Sequence, residues 1–254
     1  NARHYASDCW IEGAVDYFYG NGNVLIENTT LYNVRYGSVI TAANHTTGTN
    51  WGYVFNNCTV DGINKVDPDK YGTESLDYQP SKGTAQTLGR PWQNNPITVF
   101  LNTKLKFDID PAGWRDMGAV PALYAEYNTT DKKGKAVDMS QRKTKYTING
   151  TSYNYEGKTE LSYSEYIKYT YENIVNGSDG WNPKKFMEQL ETPENVSLNG
   201  TTLSWDARYK AICYLIFKAD GSFEGQTTDT SFTVSDADAT YTVKAANKYG
   251  TLSE

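Results

Sequence analysis

The chain has 254 residues, enough for one large domain or a medium one with a small companion. With 30 acidic against 24 basic residues, a net charge of −6 and no dense Lys/Arg run, it lacks the electrostatic footprint of a nucleic-acid binder. Mean hydropathy is −0.66 and apolar stretches are short, well below the roughly 20 residues a membrane-spanning helix needs.

Tyrosines outnumber phenylalanines 21 to 8, a bias that suits flat polar partners such as sugars and equally suits Tyr-rich β-structure. His4 and His45 lie far from any zinc-binding pattern, and no G-x-S-x-G elbow is present. Hydrolytic chemistry would therefore rest on carboxylates, with no metal and no cofactor. The opening Asn1-Ala-Arg-His4 runs into strand-like sequence without an initiator Met or a signal-peptide core, and it reads as the start of a fragment.

Four segments share the pattern Asn/Asp, small, any, aliphatic. They begin at Asp8, Asn28, Asn57 and Asn102 and carry Ile11, Leu31, Val60 and Leu105 at the aliphatic position. The small and aliphatic positions are two apart and share one strand face, while Asn or Asp suits a turn between strands. Starts separated by 20, 29 and 45 residues fit solenoid coils with inserted loops, so the spacing predicts a parallel β-helix. Cys9 and Cys58 hold the same slot two coils apart, roughly 10 Å, too far for a disulfide. The glycosylation triplets at Asn28 and Asn57 are read as by-products of the repeat.

Ser162-Tyr-Ser-Glu165 is a capping box, followed by Tyr163, Ile167, Thr170, Tyr171 and Ile174 on one helical face and a stop at Gly177. One amphipathic helix is predicted, closing the end of the solenoid or packing on its side. From Pro193 the pattern becomes short alternating strands around Val196, Leu198, Leu203, Trp205, Tyr214, Ile216, Phe232, Val234, Tyr241, Val243 and Ala245, which predicts a small β-sandwich with Trp205 in its core. The sandwich resembles a fibronectin type III or related immunoglobulin-like module, short for such a module and read as incomplete at its C-terminus.

Two motifs carry chemistry. Gly13-Ala-Val-Asp-Tyr-Phe-Tyr-Gly20 sets an acidic residue in an apolar strand, where a carboxylate is costly unless paired or used, and a salt-bridged structural Asp is the plainer alternative. Leu88-Gly-Arg-Pro-Trp92 fixes a guanidinium in a turn with an aromatic two residues on. In this order and on this repeat they resemble the pectin methylesterase (pectinesterase) family, whose signatures are G-x-V-D-F-I-F-G and L-G-R-P-W. The second matches at all five positions. Gly113-Trp114 with Met117, Ala125-Glu-Tyr-Asn128 and Asp179-Gly-Trp-Asn-Pro183 extend the likeness from residue 1 to about 187.

The resemblance implies an all-β protein. Residues 1–191 would form a right-handed parallel β-helix, N-terminally truncated and with a terminal helix, and residues 192–254 the fibronectin type III-like module. It implies that Asp16 attacks the methyl-ester carbonyl of galacturonate and that Arg90 holds it. Trp92 would wall the cleft, and Met117 would line the methyl-ester pocket where plant members carry a second Trp. Val15 is placed with the substrate-binding residues beside Asp16. Strand alternation alone would put Phe18 on the groove side, whereas the family has its cleft aromatic three after the nucleophile, which is Tyr19. The family's general-acid Asp and oxyanion Gln belong to a Q-D-T segment ahead of Arg3, so the chain by itself is expected to be inactive.

Pectin (homogalacturonan) is the implied partner, with the protein a monomer outside the cell: extracellular, periplasmic or on the cell surface. Two alternatives remain at this point. A pectate lyase-like enzyme would need clustered calcium ligands, for which Asp67-Pro68-Asp69 is the nearest candidate. A non-catalytic glycan-binding or spacer role suits residues 193–254.

Overall fold

The computed structural model describes residues 2–63 and 84–254, so Asp67-Pro68-Asp69 lies outside the described residues. Its first compact unit is Asn1–Trp181.

Asp8, Asn28, Asn57 and Asn102 all have positive φ, between 50° and 56°, the left-handed conformation that short polar side chains tolerate. Each turns the chain from one sheet into the next. The coils run β1 (Arg3–Ser7), β2 (Trp10–Gly13) and β3 (Val15–Gly20); then β4 (Asn23–Glu27), β5 (Thr30–Asn33) and β6 (Val39–Ala43); then β7 (Tyr53–Asn56), β8 (Thr59–Gly62) and β9 (Thr87–Pro91). β10 (Ile97–Leu101), β11 (Lys104–Leu105) and β12 (Leu123–Tyr127) continue them, and an antiparallel hairpin of β13 (Lys145–Ile148) and β14 (Thr151–Asn154) follows. Strands from successive coils pair in parallel into three sheets, ordered β1-β4-β7-β10-β12, β2-β5-β8-β11 and β3-β6-β9. This is the stacking expected of a parallel β-helix.

The turn residues also bond to one another. Asn57 Nδ2 donates to Asn28 Oδ1 at 2.7 Å and Asn128 Nδ2 to Asn102 Oδ1 at 2.9 Å. Leu31, Val60 and Leu105 are buried in the core while Ile11 is half-buried. Aromatic rings stack along the interior: Phe18 meets Phe55 edge-on at 5.0 Å, Phe55 lies flat on Phe100 at 4.5 Å, and Trp114 packs on Tyr124 at 4.4 Å. Cys9 and Cys58 are free thiols.

The single predicted helix is corrected. The capping box forms, Ser162 N donating to Glu165 Oε2 at 2.8 Å, but α1 covers only Tyr163–Tyr166 and a separate π-type turn spans Glu172–Asn176. Tyr166 stacks on Tyr127 at 4.2 Å, while Tyr171, Ile174 and Val175 bury against Leu25, Val54 and Val99. Two separate anchors on the outside of the first sheet thus replace one continuous stripe. The sequence between them, Ile167-Lys-Tyr-Thr170, is poor in strong helix formers and does not resist the break. Tyr163 and Ile167, expected on the packed face, are 66% and 50% exposed.

The second unit is Asn182–Glu254, so the division falls ahead of the expected 191/192 boundary. Asn247 Nδ2 donates to Glu188 O at 2.6 Å, fastening residues before 192 to the unit that follows them. Its strands are β15 (Ser197–Asn199), β16 (Thr202–Ser204), β17 (Cys213–Lys218), β18 (Phe223–Thr227), β19 (Ser231–Thr233) and β20 (Tyr241–Ala246). They form two antiparallel sheets, β15-β16-β19 and β18-β17-β20, around Leu203, Trp205, Tyr214, Ile216, Val234, Val243 and Ala245.

Candidate active site

The sheet β3-β6-β9 carries both motifs. Its register aligns Phe18 with Thr41 and Gly89, and Gly89 bridges Trp114. Phe18 and Trp114 pack in the core, so this column faces inward. The next column, Tyr19–Ala42–Arg90, faces outward.

Asp16 departs from strand geometry. Its φ is +52°, and the pairing of β3 with β6 shifts register between Val15 and Phe18. A bulge of this kind re-aims the side chains that follow it. Phe18, which alternation would put beside Asp16, therefore turns into the core, and Tyr19 emerges 71% exposed with its ring 6.2 Å from that of Trp92. Val15 stays half-buried on β3 opposite Val39.

Asp16 and Arg90 are 74 positions apart and meet across a coil. Arg90 Nε donates to Asp16 Oδ1 at 2.9 Å and Nη2 to Oδ2 at 2.5 Å, with side chains 28% and 20% exposed for Arg and Asp. Two coils stack over about 9.6 Å, a span that a long arginine covers only if little stands between. The intervening outward residue is Ala42. Two parallel N–H donors to one carboxylate fix its plane and its orientation.

The glycine of the second motif is steric. A Cβ on Gly89 would overlap Thr41 Oγ1, whose hydroxyl donates to Leu88 O at 3.2 Å. Gly89→Ala should destabilise the first unit by about 1–3 kcal/mol in urea unfolding. Adding Thr41→Ala should recover part of the loss; no recovery would mean that the Thr41 hydroxyl is not the obstacle.

Met117 sits in the following coil. Arg115 N donates to Gly89 O at 3.0 Å and Gly118 N to Pro91 O at 3.0 Å, which lays residues 115–118 along the Arg90–Trp92 stretch with Met117 half-buried.

Two features escaped the sequence reading. Arg115, next in line after Arg90, donates Nη1 to Gly37 O at 3.1 Å and Nη2 to Ala85 O. Burial first, and the Arg90 charge second, lower its pKa from the usual guanidinium value. Its position one residue after Trp114, in the coil next to the Arg90 motif, was the available signal. The other is a buried chain behind the bulge: Tyr17 OH donates to Asn33 Oδ1 at 2.9 Å, and Asn33 Nδ2 to Gln86 Oε1 at 2.7 Å. Burial raises the pKa of the Tyr17 phenol and keeps it a donor. Among the described residues no three His, Cys, Asp or Glu side chains are grouped to hold a metal ion.

The sequence profile of the pectinesterase family matches residues 1–177. Probable pectinesterase A of Neosartorya fischeri is 37% identical over 153 residues, covering 58% of this chain and 41% of that protein. Probable pectinesterase/pectinesterase inhibitor 41 of Arabidopsis thaliana is 26% identical over 188 residues, covering 70% and 28%. Among solved structures, pectin methylesterase from carrot aligns with a TM-score of 0.51 at 24% identity, covering 70% of this chain and 51% of that one, a likeness of fold. The chain thus spans well under half the length of these curated relatives.

Proposed function

The chain belongs to the pectinesterase family, and from that premise we propose that residues 1–181 take part in hydrolysing galacturonate methyl esters of pectin, with Asp16 as nucleophile. The observation that carries this reading is the two-nitrogen grip of Arg90 on Asp16 beside the exposed Tyr19 and Trp92. An Asp16 oxygen attacks the ester carbonyl, and methoxide leaves and takes a proton to become methanol. Water then hydrolyses the acyl-enzyme, freeing galacturonate and restoring the carboxylate. In the family the proton donor and the oxyanion glutamine belong to a Gln-Asp-Thr segment ahead of the position matched by Arg3.

In this reading Tyr19 and Trp92 flank the sugar chain, and Met117 and Val15 line the site of the methyl group. Methanol release from methylated pectin by the full-length protein tests the proposal. Arg90→Lys should lower that rate on the order of 10²-fold, because a single ammonium cannot reproduce the planar fork that positions Asp16. A rate within about threefold of wild type would remove Arg90 from the site. We read residues 182–254 as a fibronectin type III-like module, a view supported by its two three-stranded antiparallel sheets and by the bridge from Ala246 to Leu252 that begins a further pairing. Pectin being a wall polymer, the site of action is outside the cell.

A further inference from the structure

Residues 182–254 contain a groove of about 720 Å³ where the β16–β17 connection meets the turn after β20. Its walls carry two tyrosines, Tyr209 and Tyr249, which are 87% and 45% exposed. Each ring bears the ammonium of its chain neighbour: Lys210 Nζ lies 5.5 Å from the Tyr209 centroid and Lys248 Nζ 4.8 Å from that of Tyr249. Lys185 adds a third ammonium.

The Tyr249 wall is held in place. Asn247 is buried, and its Oδ1 accepts from Tyr249 N at 2.9 Å and Thr251 N at 3.0 Å. Phe186 packs edge-on against the Tyr249 ring at 4.7 Å. Near the Tyr209 wall, Arg208 pairs with Glu194 at 3.1 Å and Glu191 at 3.6 Å. With Glu194 counted, Arg208 and the three lysines stand against Glu188, Glu191 and Glu194, a small cationic excess, and none of these lysines is ion-paired with a carboxylate among the described residues.

Exposed aromatic faces offer stacking surfaces to the C–H faces of pyranose rings, and ammonium groups beside them pair with carboxylates. A polymer that presents both at every residue is a polyuronate. We propose that this groove binds a stretch of de-esterified galacturonate chain, the anionic product of the proposed reaction. The inference rests on the esterase reading for the identity of the polymer. A methyl-esterified stretch lacks the carboxylates, so the module would hold the protein on chains that have already been processed.

Affinity electrophoresis of the full chain through gels containing polygalacturonate, highly methylated pectin or neutral galactan tests this. Retardation should be strongest in polygalacturonate, at least about fivefold weaker in the other two, and reduced by salt. Tyr209→Ala, and separately Lys210→Ala with Lys248→Ala, should each weaken retardation at least about fivefold without moving the urea midpoint, since these changes are at the groove surface. Retardation unchanged in both variants, or equal in galactan, would overturn the proposal. So would competition by inorganic polyphosphate as effective as that by oligogalacturonate, which would mark simple ion exchange. Methanol release without retardation defeats the groove and leaves the esterase reading standing. Lysine-dependent retardation with no methanol release by the full-length protein does the reverse.

Discussion

Arg142→Met should destabilise the first unit by about 3–5 kcal/mol, a large fraction of the stability of a domain this size. Glu126 and Arg142 are fully desolvated, 0% and 2% exposed, with Arg142 Nε 2.6 Å from Glu126 Oε1 and Nη2 3.2 Å from Oε2. Arg142 Nη1 also donates to Pro111 O at 2.9 Å. Removing the cation leaves a carboxylate buried in the last coil with its principal donors gone, which costs far more than the pair itself contributes. The backbone is shaped for the pair: a Cβ on Gly113 would lie 2.7 Å from Arg142 Cδ. The double variant Glu126→Leu with Arg142→Met should be more stable than Arg142→Met alone, because no orphaned charge remains. Urea unfolding of the three proteins checks this; a double variant no better than the single would place the cost in packing rather than in charge.

Glu126 illustrates how far the sequence could be read. It stands in Ala125-Glu-Tyr-Asn128, a run visible only as family likeness, and nothing local shows that its partner is sixteen residues on. The coil pattern was legible because the turn chemistry is local: Asn or Asp at positive φ, a small residue, then an inward aliphatic. It failed at Asn128, which takes the same conformation with φ 53°, because Asp131 replaces the aliphatic residue and instead accepts from Lys133 N and Lys135 N. The capping box at Ser162 was legible for the same local reason, whereas the break after Tyr166 depends on where Tyr127 and Leu25 offer contacts. β18 was missed because Glu224-Gly-Gln shows no alternation, and Gly225 is there to clear the Phe232 ring.

At the site, both motifs could be found in the sequence, but their meeting was legible only through the family likeness and not from the residues themselves. Asp16 reaches Arg90 only because an intervening coil presents Ala42, and Tyr19 rather than Phe18 faces out only because of the bulge at Asp16. Period-two alternation cannot see a bulge. The family likeness pointed to Tyr19, and the bulge supplies the physical reason for its exposure.

Asp16→Asn carries the largest expected effect. The change is nearly isosteric and keeps one oxygen acceptor for Arg90, so the fold should persist, with a urea midpoint close to that of the parent protein. The neutral amide is a far poorer nucleophile than the carboxylate, and it also weakens the charge-assisted grip of Arg90. Methanol release from methylated pectin by the full-length protein, wild type against Asp16→Asn, decides whether Asp16 is the nucleophile. The nucleophile assignment predicts a loss of at least about 10³-fold with the fold intact; a variant that retains more than about a tenth of the wild-type rate would contradict it.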